Sequence, residues 1–95
     1  RFEAEAVSGK LYIVNRGNVP LYGADVKKKR LGSVKEAATF EERSSISNGE
    51  TGSIDLEGKV EPGKILVIPI ILGEAKSYKK PFVCPEDYGV EITVV

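Results

Sequence analysis

Apolar and polar residues alternate along much of this 95-residue chain, and a period of two marks a strand with one buried and one wet face. Phe2-Glu3-Ala4-Glu5-Ala6-Val7 alternates apolar with acidic up to Ala6 and predicts a first strand, broken at Ser8-Gly9. Lys10 to Val14 predicts a second, with Leu11 and Ile13 on one face and Tyr12 and Val14 on the other. The chain then turns through Asn15-Arg16-Gly17-Asn18 and resumes at Val19-Pro20-Leu21. Asn and Gly tolerate positive φ, so Gly17 or Asn18 is expected to adopt it in a tight hairpin. Leu21 to Arg30 predicts a third strand that offers Leu21, Ala24 and Val26 to the core. It should bend near Gly23, because a glycine inside a strand often marks a bulge.

Leu31-Gly32-Ser33 reads as a turn. Val34 to Arg43 mixes signals: Lys35-Glu36-Ala37-Ala38 favours helix and Thr39-Phe40 favours strand, so a strand centred on Ala38 to Glu42 is expected. Ser44 to Gly52 is a polar connection with a short extended piece at Ile46. Ser53 to Leu56 alternates again, Ile54 and Leu56 sharing a face, and Glu57-Gly58-Lys59 turns the chain. In Val60-Glu61-Pro62-Gly63-Lys64, Pro62 fixes φ at about −65° and Gly63 supplies positive φ, which together fit a type II turn. Lys64 to Leu72 is the most apolar strand, and such a run belongs at the centre of a sheet or between two covered faces. Pro69 lacks an N–H and should sit at a bulge or face away from the ladder. Gly73 to Asp87, with Pro81 and Pro85, reads as a long connection; Tyr88 to Val95 predicts the last strand, with Val90, Ile92 and Val94 on one side.

About seven strands with turns every 8–12 residues match the grammar of a sandwich. The expected fold is all-β: an immunoglobulin-like antiparallel β-sandwich of about seven strands, one domain over residues 1–95, with Leu11, Ile13, Leu56, Ile65, Val67 and Ile92 in a shared core. A chain with one Cys and no Trp lacks the Cys-Trp-Cys signature of antibody domains.

Composition narrows function more than it names it. Fourteen basic and fourteen acidic residues cancel, which argues against a general nucleic-acid binder, since that needs a positive field. No His is present, so the commonest general base and metal ligand are missing. One Cys makes no internal disulfide and no Cys-cluster zinc site. The chain opens on Arg1, and we expect it to be a piece of a longer protein or a processed product. No run of about 18 apolar residues that could span a membrane is present.

The order Leu11-Tyr-Ile-Val-Asn-Arg-Gly-Asn-Val-Pro-Leu21, then Val60-Glu-Pro-Gly-Lys64 before an apolar strand, then Tyr88-Gly-Val-Glu-Ile-Thr-Val-Val95, resembles the CARDB-type adhesion-related domains of prokaryotic surface proteins. It also resembles the globular part of archaeal pilin-like and archaellum-associated proteins. The shared features are a strand ending in Asn-x-Gly, a later Pro-Gly turn, and a final strand opening with an aromatic residue and Gly. The resemblance implies a cell-surface β-sandwich anchored in a membrane or filament by a hydrophobic N-terminal helix that would precede Arg1. It implies no enzyme activity and transfers no catalytic residue. Cys84-Pro-Glu-Asp-Tyr88 belongs to neither pattern.

Candidate chemistry is sparse. Lys27-Lys28-Lys29-Arg30 could contact phosphate, acidic polysaccharide or lipid headgroups, but strand alternation sends Lys27 and Lys29 one way and Lys28 and Arg30 the other. The plainer reading is a solvated strand end that discourages edge pairing. Cys84 could cross-link or react, yet no His stands by to activate it, and a buried inert thiol is the better reading. Glu86, Asp87 and Glu91 could contribute to calcium, which wants six to eight oxygens and a denser acidic loop. Gly49-Glu50-Thr51-Gly52 lacks the Lys-Ser/Thr of a phosphate loop. Tyr12, Tyr22, Tyr78 and Tyr88 could stack on a ligand or simply pack. The expected function is a non-enzymatic structural or protein-interaction module at the cell surface, with no cofactor and no metal. Its partner would be a surface or filament protein, met through the strand Lys27 to Arg30 as a sheet edge and through the Gly73–Asp87 loop, where Tyr78, Glu86 and Asp87 lie. The alternative is a carbohydrate- or polyanion-binding accessory module of a larger secreted enzyme.

Overall fold

A computed structural model describes residues 1–30, 33–56, 58–75 and 78–95, with the side chains of 29–30, 33–37, 40–44, 73–75 and 78–82 outside the description. The strands are β1 (Phe2–Val7), β2 (Lys10–Asn15), β3 (Leu21–Arg30), β4 (Ser33–Ile46), β5 (Thr51–Asp55), β6 (Gly63–Ala75), β7 (Tyr78–Val83) and β8 (Val90–Val94). A one-turn 3-10 helix at Glu86–Tyr88 stands between β7 and β8. All strand pairings are antiparallel. One sheet has the order β1-β2-β5; the other runs β4-β3-β6-β7, with β8 also paired to β6. The all-β, sandwich-like character read from the period-two pattern is present, built from eight strands rather than about seven.

Both sheets feed a hydrophobic cluster. Phe2, Leu11, Ile13 and Ile54 enter from the first; Ala24, Val26, Ile65, Val67 and Val94 enter from the second. Burying each of the larger aliphatic chains contributes roughly 1.5–3 kcal/mol relative to exposure. Of the six expected core residues, Leu11, Ile13, Leu56, Ile65 and Val67 are in the cluster, while Ile92 packs against it half-buried and Val94 takes the buried place on β8. Leu21, Ala24 and Val26 are all buried although their spacing breaks the period of two. The bulge does this: the β3–β4 register jumps between Leu21 and Gly23, and Gly23 has φ of 141°.

β6 lies at the centre of its sheet, as its apolar run implies. Ile65 to Pro69 pair with β3 on one side. On the other side Gly63 to Val67 pair with β8, and Ile70 to Ala75 pair with β7. Pro69 falls at the change of partner. Its carbonyl accepts the Cys84 N–H at 3.0 Å, and in a strand a residue's N and O point the same way. The absent N–H therefore faces Cys84 at the very end of the β6–β7 ladder, where only the last pair is left with one bond in place of two. Gly63 has positive φ, 130°, as expected, but it is the first residue of β6 after a bend at Pro62 and does not close a type II turn.

Four expectations are corrected. β2 and β3 do not form a hairpin: they lie in different sheets, and the Asn15–Asn18 segment is a crossing between them. Neither Gly17 nor Asn18 has positive φ. The two-residue hairpin is at Ser8-Gly9, where both residues have positive φ, 51° and 78°, as a type I′ loop demands. β4 is one strand from Ser33 to Ile46, because partnering β3 overrides the helical preference of Lys35 to Ala38. Gly73 to Asp87 is no loop: β6 continues to Ala75 and β7 returns along it, with Pro81 tolerated on the outermost strand. The expected turn after Leu56 is present, with the Lys59 N–H donating to the Leu56 carbonyl at 2.9 Å and Gly58 at φ of 74°; the expected turn at Leu31-Gly32 falls on residues outside the description.

Candidate functional site

The basic run sits on an inner strand. β3 is flanked by β4 and β6, so Lys27 to Arg30 is not the sheet edge that its charges suggest. Edge position is decided by which strands pair, and a run of lysines does not exclude two neighbours when their ammonium groups find partners. The alternation of Lys27 and Lys28 holds. Lys27 Nζ lies 3.9 Å from Asp25 Oδ2 and 3.7 Å from Glu86 Oε2. Lys28 Nζ donates instead to the carbonyls of Glu61 (2.9 Å) and Pro62 (2.8 Å), at the turn before β6. The side chains of Lys29, Arg30 and Tyr78 lie outside the description.

Asp25 is only 2% exposed. A carboxylate that deep needs both charge and hydrogen-bond partners. Lys27 supplies the first, and the Thr39 hydroxyl, opposite it on β4, donates at 2.7 Å to Oδ1. Glu86 and Asp87 are exposed on the 3-10 turn, and the Lys27–Glu86 pair ties that turn to β3. Two regions that the sequence singled out separately are thus brought together. The exit of the turn presses on β6: a Cβ on Gly89 would lie 2.8 Å from Leu66 Cδ1.

Asn15 organises the crossing between sheets. It is 1% exposed, and its Nδ2 donates to the carbonyls of Val19 (2.9 Å) and Ile46 (2.7 Å) while Oδ1 accepts the Gly17 N–H at 2.8 Å. Gly17 is needed here for room: a Cβ would meet the backbone N of Arg1 at 2.9 Å. The Arg1 carbonyl in turn accepts the Arg16 N–H at 2.9 Å.

That crossing forms one wall of a groove of about 520 Å³. Phe2 and Leu21 line it from β1 and the start of β3, Pro69 and Ile71 from β6, and Val90 from β8. Cys84 and Tyr88 flank it on either side of the 3-10 turn, and Val19 and Arg1 stand at the crossing. Tyr88 is 64% exposed and Val19 55%. Cys84 is buried, and that burial pushes its thiol above the ordinary 9.0, which fits an inert thiol better than a nucleophile.

The groove was not foreseen. Its residues come from five separate stretches, and the only local hints were Pro69 inside an apolar run and a Cys84-Pro85 break. Among the described residues, no three acidic or thiol side chains converge as a metal set does. Comparisons with family models, curated proteins and solved structures find no match to this chain.

Proposed function

We propose that this chain works by binding and presentation: a non-enzymatic module at a cell surface, immunoglobulin-like in form, that offers an edge of its larger sheet to a protein partner. The order β1-β2-β5 opposite β3-β6-β8 supports the immunoglobulin-like form, since it matches strands A, B and E facing C, F and G. On that reading β4 sits beside the third strand, and β7 is an extra strand between the sixth and the last.

The observation that carries the reading is the disposition of polar groups. The described charged side chains that cluster do so in the service of the fold: Lys27 with Asp25 and Glu86, and Lys28 with two turn carbonyls. The same pairing weakens the polyanion-binding alternative, because it divides the basic run instead of gathering it into a patch. Among the described residues near the edge, Val83 and the 3-10 turn with Asp87 and Tyr88 face solvent. Edge strands recruit extended partner segments through main-chain hydrogen bonds, and β7 is the outer strand of its sheet.

The test is photo-cross-linking in intact cells. A cross-linking residue at Val83 or Asp87 of the gene product should give one discrete adduct with another surface protein, and one at Ser53, on the other sheet, should not. Adducts of equal yield at both places, none at all, or protection of the protein from protease added outside the cell would overturn the proposal.

A further inference from the structure

We infer that the groove between the two sheets is a binding site for a long-chain carboxylate, with its hydrocarbon tail in the groove and its head at Arg1. The inference goes beyond the protein-partner reading and does not depend on it.

Size comes first. About 520 Å³ falls within the roughly 300–1,000 Å³ of ligand clefts, which are mostly apolar with a few placed polar groups. Here the walls include Phe2, Leu21, Ile71 and Val90, and Arg1 has the one charged side chain among the described residues that line the groove. An apolar trough with positive charge at its wall is complementary to a chain with an anion at its end. A neutral alkane would leave the guanidinium unused, and an alkyl cation would be repelled by it.

The cation is held in place at its root. The Arg1 carbonyl is bonded to the Arg16 N–H, its N is closely opposed by Gly17, and Phe2 pairs with Asn15. Among the described carboxylates, Glu3 lies 3.5 Å from Arg16 Nε, and Glu86 is with Lys27. Asp87 is exposed and does not line the groove. The rim residues Tyr88 and Val19 are largely exposed, so they are available to close over a tail, and filling the groove would remove apolar surface from water.

The chain carries its own reporter. Cys84, the only cysteine, lines the groove, so an occupant should shield it from an alkylating reagent. Dodecanoate, below its micelle concentration, should bind saturably, shift backbone amide resonances around Phe2, Val19 and Val90, and slow alkylation of Cys84 several-fold. Arg1→Gln should weaken dodecanoate about fivefold, as loss of one exposed charge pair does, and leave dodecanol unchanged. Val19→Asp, at an exposed position, should weaken both without unfolding the protein. Dodecyltrimethylammonium should bind much less tightly than dodecanoate. Equal binding of the anion and the cation, no effect of Arg1→Gln, shifts lying outside the groove, or no saturable binding would each overturn the inference. None of these would touch the cross-linking result at Val83 and Asp87, so the two proposals fail separately.

Discussion

At the scale of single residues, the crossing between the sheets depends on Asn15 and Gly17 for different reasons. Asn15 satisfies two carbonyls and one N–H from a fully buried position. Asn15→Ala leaves the Ile46 carbonyl without that donor, and orphaned buried polar groups cost about 1–3 kcal/mol each; urea unfolding should show a loss of about 2 kcal/mol or more. Gly17 does not occupy a left-handed conformation. Its role is close approach to Arg1, so Gly17→Ala should cost about 1 kcal/mol through contact. A crystal structure of Gly17→Ala separates the causes: contact predicts a displaced Arg1 backbone with φ at position 17 unchanged, whereas a conformational cost predicts a changed φ there. Cys84 adds a pH dependence with a definite sign. Burial raises the folded thiol above 9.0, so on raising the pH the unfolded chain gives up its proton first. Its contribution to stability is whole below about pH 9 and fades as the pH climbs through the folded value. Under reducing conditions, wild type should lose more stability than Cys84→Ala between pH 8 and about 10.5; parallel losses would show that the thiol is not buried in solution.

At the scale of elements, what the sequence made legible and what it hid divide along a physical line. Period-two alternation located β1 and β2 closely because each has one dry face. Pro62-Gly63 marked the bend that leads into β6 because the backbone geometry there is encoded in two residues. Pairing is not encoded locally. Asn15-x-Gly17 announces a change of direction, but whether the next strand joins the same sheet depends on residues forty positions away. Lys27 to Arg30 looked like an edge because charge protects edges, yet β3 is inner, and the ammonium groups of Lys27 and Lys28 are engaged in different places. β7 was hidden by Lys79-Lys80-Pro81, which is poor strand sequence, and it is held by the strongly apolar β6 alongside. The groove was hidden for the same reason, since it exists only where β8 gives way to β7. Lys28 provides an element-scale test. Its ammonium ties the turn before β6 to β3, so Lys28→Met, which keeps the stem, should cost about 1 kcal/mol. Because the site is exposed, a loss much larger than that would mean that Lys28 does more than anchor the turn.

At the scale of the whole molecule, stability should be graded by position in the sheets. The radius of gyration, 12.9 Å, is that of one compact body, about 13 Å for a chain near this length, and both sheets share one core. Cooperative unfolding of that body sets the slowest hydrogen exchange, while edges and turns open at lower cost. β3 and β6 are each paired on two sides, whereas β1 and β5 are the outer strands of their sheet. Amides over Ala24–Lys28 and Ile65–Val67 should therefore exchange at the global limit. Those of β5 and of the 3-10 turn should exchange faster by about two orders of magnitude or more, given the spread from local to global opening. Mass spectrometry of peptides or resolved amide resonances would measure this directly. Equal protection of β5 and β6 would mean that the outer edge of β5 is covered in solution, most simply by a second copy of the chain, and the assignment of free edges would have to change. The graded pattern also bears on function. The groove lies where the firm centre of the larger sheet meets its less firmly held margin, with Pro69 and Ile71 on the first and Tyr88 on the second. A ligand that seats there should slow exchange in the 3-10 turn and β8 while leaving the already saturated protection of β3 unmoved, so the location of the change, more than its size, would reveal where binding occurs.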